Sequence, residues 1–211
     1  MAPCNFYFLT NHINDYSKNN TRNFLHSFFN CESLMKKRID LPSNEDELLQ
    51  YYGLSGTMGR LKIKFIFAKT WILHQIAYSC PLSGIVVKAQ RMRGVKIGNS
   101  CYFSPYVLLD IIYPDKIWIE DNVTIGSNSM IFAHVNPTAN PDLRKIYPRR
   151  IENVHIKKGA VIFPGCIITA GVTIGENSMI GAGSVVSEDI PDNCIALGNP
   201  ARVIKKINLD E

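Results

Sequence analysis

A mainly β fold, a left-handed parallel β-helix of hexapeptide repeats with a mostly helical amino-terminal extension, is predicted by three features of this 211-residue sequence. Aliphatic residues recur every six positions, compact residues follow them four positions later, and residues 1–81 carry neither pattern. Hydrophobic residues make up 46% and charged residues 19% of the chain, enough apolar material to form a core and too little charge for a solvated tail.

The repeat is clearest near the carboxy terminus, where Ile156, Ile162, Ile168, Ile174, Ile180 and Val186 stand in unbroken register. Four residues after each come Ala160, Cys166, Val172, Ser178, Ser184 and Ile190, all but the last small. Glycine often follows the aliphatic, as at Gly175 and Gly181. The same register holds at Ile97, Phe103 and Leu109 and, after a four-residue insertion, at Ile119, Ile125 and Ile131, with Cys101, Val107, Val123 and Ser129 as the compact followers. At 3.6 residues per turn a period of six would scatter these side chains around a helix. Three short strands of six residues instead close one triangular coil, with the aliphatic inside and the small residue at the crowded corner. Stacked coils then bury a continuous aliphatic column.

The organisation expected is a helical region over 1–81, a β-helix over 82–207 and a short tail over 208–211. Ser43, Asn44 and Glu47 ahead of Leu48 and Leu49 read as a helix start, and Gly53 as its stop. A second helix is expected over Thr57–Cys80, where Leu61, Ile63, Phe65, Trp71, Ile72 and Ile76 are mixed with Arg60, Lys62, Lys64 and Lys69. Docking on the β-helix or on a neighbouring subunit is the favoured role for it, and peripheral contact with an anionic membrane the alternative. Between 82 and 96 a first, irregular coil is expected. The loop over 135–154, with three prolines and Arg144, Lys145, Arg149 and Arg150, interrupts the stack; its length suggests function, and its cations suit anionic groups on a substrate or cofactor.

A net charge of +5 is spread along the chain without the basic and aromatic stripe that nucleic-acid binding favours. The six cysteines form neither a CxxC pair nor a cluster with histidine, so reduced thiols and no metal are expected. The first twenty residues lack the cationic and apolar regions of a secretory signal, and Thr70–Val87 is a poor spanning segment, so the expected location is the cytoplasm.

One histidine, His134, stands where regular coil gives way to the 135–154 loop. With GVKIG (94–98), IEDNVTIG (119–126), DLRK (142–145), GVTIGENSMIGAGSVV (171–186) and the closing GNPARVIKKI (198–207), the sequence resembles the hexapeptide acyltransferases. It is most similar to their maltose/galactoside O-acetyltransferase branch and to relatives in surface-polysaccharide biosynthesis, over about residues 94–207.

That resemblance implies acetyl-CoA as acyl donor, a sugar acceptor and a homotrimer with the CoA groove between subunits. It makes His134 the general base, a task that suits an imidazole, and assigns the oxyanion to a backbone N–H. Ala182 matches a backbone contact to the pantetheine arm, Ser187 a polar position near its far end, and Arg202 and Lys205 cations near the nucleotide phosphates. Ser104 and Asp110 align with acceptor-binding positions. Val161 replaces a tryptophan found beside CoA in many members and Pro164 a small polar residue, which leaves the acceptor open. The alternatives are an amino-sugar N-acetyltransferase, an antibiotic acetyltransferase and, outside catalysis, a silent β-helix scaffold. A γ-type carbonic anhydrase would need three converging histidines, whereas the repeat region holds only His134 and His155.

Overall fold

A computed structural model describes residues 43–136 and 140–209. Helical structure expected over 1–42 lies outside these residues. Helix α1 spans Asn44–Tyr51, α2 Gly56–Ser79 and α3 Ser83–Arg93. Gly53, at φ +63°, ends α1 in the left-handed region that glycine enters without penalty.

The stack begins at β1 (Lys96–Ile97), later than expected. Residues 83–93 form α3 rather than an irregular coil, because Val86, Val87, Ala89, Gln90 and Arg93 recur at helical spacing and bury one face. Gly94 at φ +111° caps that helix. Then come β2 (Tyr102–Phe103), β3 (Leu108–Leu109), β4 (Ile117–Ile119), β5 (Thr124–Ile125) and β6 (Met130–Ile131). The insertion between β3 and β4 holds a 3₁₀ turn over Pro114–Lys116.

After the loop the coils resume as β9 (Val154–Ile156), β10 (Val161–Ile162), β11 (Ile167–Ile168), β12 (Thr173–Ile174), β13 (Met179–Ile180) and β14 (Val185–Val186). The chain closes with β15 (Cys194–Gly198) and β16 (Ala201–Lys206), an antiparallel hairpin with a cis Asn199–Pro200 bond.

Three sheets form the faces of a prism: β1-β4-β9-β12, then β2-β5-β10-β13-β15 with β16 added at its edge, then β3-β6-β11-β14. Pairing within each stack is parallel, and the register places hexad on hexad: Ile119 on Ile156, Ile125 on Ile162, Ile131 on Ile168. These aliphatics are fully buried.

The corners show what the small residues accomplish. Ser129, Ser178 and Ser184 are buried, and each hydroxyl both donates and accepts across a corner. Ser178 Oγ donates to the Pro191 carbonyl at 2.7 Å and accepts the Cys194 N–H at 3.0 Å. One position earlier the backbone turns left-handed, at Asn122, Asn128, Asn177 and Asn193 and at Gly159, Gly165, Gly171 and Gly183. Asparagine and glycine adopt that conformation most cheaply. Tyr106, at φ +66°, is a bulky exception.

The interruption after β6 is a hairpin thrown off the stack. Strand β7 (His134–Val135) pairs antiparallel with β8 (Arg150–Ile151), and helix α4 (Pro141–Ile146) lies between them. The Asn140 side chain accepts from the Asp142 and Leu143 amides to cap α4.

Candidate active site

His134 is the first residue of β7, at the exit from the β3-β6-β11-β14 face. Its ring Nδ1 lies 2.5 Å from Asp110 Oδ2. Asp110 directly follows β3, so two adjacent coils of one face bring the pair together from 24 residues apart. The Asp110 carboxylate is wholly covered. Its Oδ1 accepts the Ile112 and Tyr113 amides at 2.9 and 3.0 Å, and Oδ2 accepts the Ala133 amide at 2.8 Å. Burial pushes this carboxyl upward. The hydrogen bond from His134 and the amides outweigh burial and hold it below the usual carboxylate value.

An ionised, acceptor-only Asp110 requires a proton on Nδ1, so that in the neutral ring Nε2 is the nitrogen that carries the lone pair. Nε2 sits 3.1 Å from the side-chain oxygen position of Asn136, an amide that can present its NH₂ there instead by a half-turn. Only 8% of the His134 side chain is exposed. Tyr113, fully buried, meets the imidazole edge-on at 5.2 Å and is itself met edge-on by Tyr51 of α1 at 4.8 Å. Arg149 donates to the Tyr113 hydroxyl at 3.0 Å and pairs with Glu47 at 2.8 Å, and Arg144 reaches the same Glu47 at 2.5 Å. From inside, buried Arg93 donates to the Asp110 carbonyl at 2.7 Å and to that of Leu109 at 3.3 Å. The imidazole is thus held at Nδ1 by a buried carboxylate and edge-on by Tyr113, with Nε2 facing Asn136.

Two expectations change with this geometry. Asp110, expected near the acceptor, has both carboxylate oxygens enclosed and hydrogen-bonded, one of them against His134. Two of the loop cations, Arg144 and Arg149, clasp Glu47 on α1. The signal for the clasp was weak in sequence, because Glu47 lies 97 residues from Arg144.

The remaining candidates bracket the same face. Ser104 follows β2 and Ala182 follows β13, so both lie at the corner leading into it, at opposite ends of the stack. Ala182 is exposed. Ser187 follows β14 at the corner where His134 leaves β6, two coils further along, about 10 Å at the usual strand spacing. Arg202, on β16, pairs with Glu188 at 3.1 Å and so lies beside Ser187. Lys205 is exposed further along β16, opposite Ile195. No group of histidine, cysteine and carboxylate side chains among the described residues could hold a metal. Sequence reasoning missed Tyr113, Asn136, Arg93 and Glu47 as partners of the site; Tyr113 at a corner position normally given to a small residue was the one visible cue.

The stack makes this a β-helical protein with a histidine and a buried carboxylate paired at a loop exit. The bacterial transferase hexapeptide (six repeats) profile matches residues 153–188, and that of the hexapeptide repeat of succinyl-transferase matches 116–134. The chain is 40% identical over 100 residues to galactoside O-acetyltransferase of Lactococcus lactis, covering 47% of this chain and 48% of that enzyme. It is 34% identical over 137 residues to the putative acetyltransferase YvoF of Bacillus subtilis, covering 64% of this chain and 75% of that protein. A solved galactoside acetyltransferase in complex with coenzyme A aligns with TM-score 0.54 at 26% identity, over 69% of this chain and 82% of that one. The chain belongs to the hexapeptide-repeat acetyltransferase family. It spans about half the length of the Lactococcus relative it matches.

Proposed function

We propose that this protein is an acetyl-CoA-dependent O-acetyltransferase acting on a sugar hydroxyl, with a role in surface-polysaccharide biosynthesis. The Asp110–His134 pair is the observation that carries the reading: a carboxylate held ionised out of solvent fixes the imidazole through Nδ1 and leaves Nε2 on the side of Asn136. The galactoside relatives supply the substrate class.

In the reaction, an acceptor hydroxyl takes the place of the Asn136 side chain at Nε2. Its proton passes to Nε2 as its oxygen attacks the thioester carbonyl carbon. The tetrahedral oxyanion, held by a backbone N–H, collapses, the C–S bond breaks, and the CoA thiolate receives the proton back from the imidazolium. Asp110 stabilises the positive ring between the two transfers without itself becoming protonated. No covalent enzyme intermediate is needed.

Ala182, Ser187, Arg202 and Lys205 line the proposed CoA track, which a neighbouring subunit completes in a homotrimer. Arg202 would exchange Glu188 for phosphate when CoA binds. Free thiols at Cys80, Cys101, Cys166 and Cys194 fit a reducing compartment, and we place the protein in the cytoplasm.

The test is release of free CoA from acetyl-CoA in the presence of candidate glycans, with mass spectrometry of the products. His134→Ala should lower kcat by about 10² to 10⁴ fold with little change in acetyl-CoA affinity. Acetylation at nitrogen would move the assignment to amino-sugar chemistry. A folded His134→Ala protein with near-normal turnover would end this mechanism, and no turnover by the wild type on any acceptor would favour a silent scaffold.

A further inference from the structure

Helix α2 presents two apolar faces where a core helix needs one. Gly59, Ile63, Thr70, His74 and Ala77 are buried. Met58, Leu61, Phe65, Ile72 and Ile76, spaced by three, four, seven and four residues, form a stripe on the opposite side, and all are exposed, Phe65 by 68%. Lys62 and Lys69 flank this stripe on one side, Lys64 and Trp71 on the other, and Trp71 is 58% exposed. The charge is of one sign. From Leu48 to Leu109 the sequence contains no acidic residue, while Arg60, Lys62, Lys64, Lys69, Lys88, Arg91, Arg93 and Lys96 fall within it. None of the described helices is long and apolar enough to cross a membrane.

We infer that α2 docks this protein on an anionic lipid surface, lying in the plane of the interface with its outer stripe among the acyl chains and its lysines at the phosphates. An apolar stripe carrying an aromatic pair and bordered by cations is what that interface selects. Charge complementarity favours an anionic surface over a two-fold contact between copies. A second copy meeting the patch through the same face would oppose like charges. The inference stands independently of the acetyl-transfer reading, but it bears on the site: Ile63 of α2 belongs to the apolar cluster containing Tyr113, which backs His134. A docked α2 would therefore hold the site close to a membrane-anchored acceptor.

The experiment is flotation of the full chain with vesicles of phosphatidylcholine alone or mixed with phosphatidylglycerol, at low and high salt. Binding is expected to the mixed vesicles, weaker at high salt and weak to phosphatidylcholine alone. Lys62→Gln with Lys69→Gln, both exposed and remote from the core, should lower partitioning roughly thirtyfold, and Phe65→Ser with Ile72→Ser should lower it further. In a Trp118→Phe background, Trp71 emission should shift to shorter wavelength when mixed vesicles are added. Absence of binding at low salt would overturn the inference, as would binding that neither double variant weakens. Trp71 emission already at short wavelength and unmoved by vesicles would show the stripe covered within the chain. A lower molar mass of Phe65→Ser/Ile72→Ser, together with no vesicle binding by the wild type, would assign the stripe to a second copy.

Discussion

Asp110 donates nothing and touches no solvent, yet the protonation of His134 depends on it. Asp110→Asn keeps the size and one acceptor oxygen but turns an NH₂ toward Nδ1 whenever its oxygen serves the amides. Nδ1 must then accept, the proton moves to Nε2, and the imidazole can no longer act as a base. We expect kcat to fall by about 10² to 10⁴ fold, as for other wrong-tautomer histidines, with the acetyl-CoA KM nearly unchanged in steady-state kinetics. A rise in that KM as large as the drop in kcat would instead show a distorted CoA track. Stability should respond to pH with a definite sign. A carboxyl held below its unfolded value of about 3.9 contributes stability above that pH. This contribution is lost as pH falls through the lower folded value. The advantage of the wild type over Asp110→Asn in chemical denaturation should hold at neutral pH and shrink only below about pH 4.

At the level of elements, the coil corners and the loop clasp are where single substitutions should tell most. A Cβ on Gly175 would lie 2.3 Å from the Pro191 carbonyl carbon and 2.4 Å from the Asp192 nitrogen, both backbone atoms of the next coil. Gly175→Ala must therefore push the terminal coil away, and a loss of about 3 kcal/mol or more is expected in thermal or denaturant unfolding. A cost under about 0.5 kcal/mol would mean the last coil shifts freely. Glu47→Ala removes the carboxylate shared by Arg144 and Arg149, which fastens the loop hairpin to α1. With both cations largely covered, the variant should lose about 1–3 kcal/mol, a Tm drop of several degrees at this chain length. Because the same Arg149 holds Tyr113 against His134, kcat should fall as well. Unchanged kcat with lowered Tm would confine the clasp to stability.

For the whole molecule, the proposed CoA track lies on the outside of a single stack, so an isolated chain offers one wall of it. Light scattering after gel filtration should give the mass of three chains, and a fully active monomer would sink both the trimer and the track. Arg202→Ala should raise the KM for acetyl-CoA more than that for the acceptor, because it removes a cation from the phosphate end while leaving the His134 corner intact. Equal effects on both would reduce Arg202 to a partner of Glu188.

The stack was legible in the sequence because a β-helix repeats its environment: every coil asks for an aliphatic inside and a compact residue at the corner, so the six-residue period appears directly in the residues from Ile97 to Val186. His134 could be singled out because it breaks that pattern at a loop exit. The corner asparagines and glycines were legible in principle, three residues after each aliphatic, but their meaning rests on a left-handed turn that only backbone angles reveal. Asp110, Tyr113, Arg93 and Glu47 could not be read as partners of one imidazole. Stacking brings residues of different coils together across the β3–β6 spacing, and α1 meets the loop across 97 residues, separations at which neighbourhood is set by closure of the coils and helix packing rather than by local pattern. For the same reason the composition of α2 announced an amphipathic helix with basic residues, while the fact that one apolar side is buried and the other left bare was decided by tertiary packing alone, since a period of 3.6 marks faces but not which of them finds a neighbour.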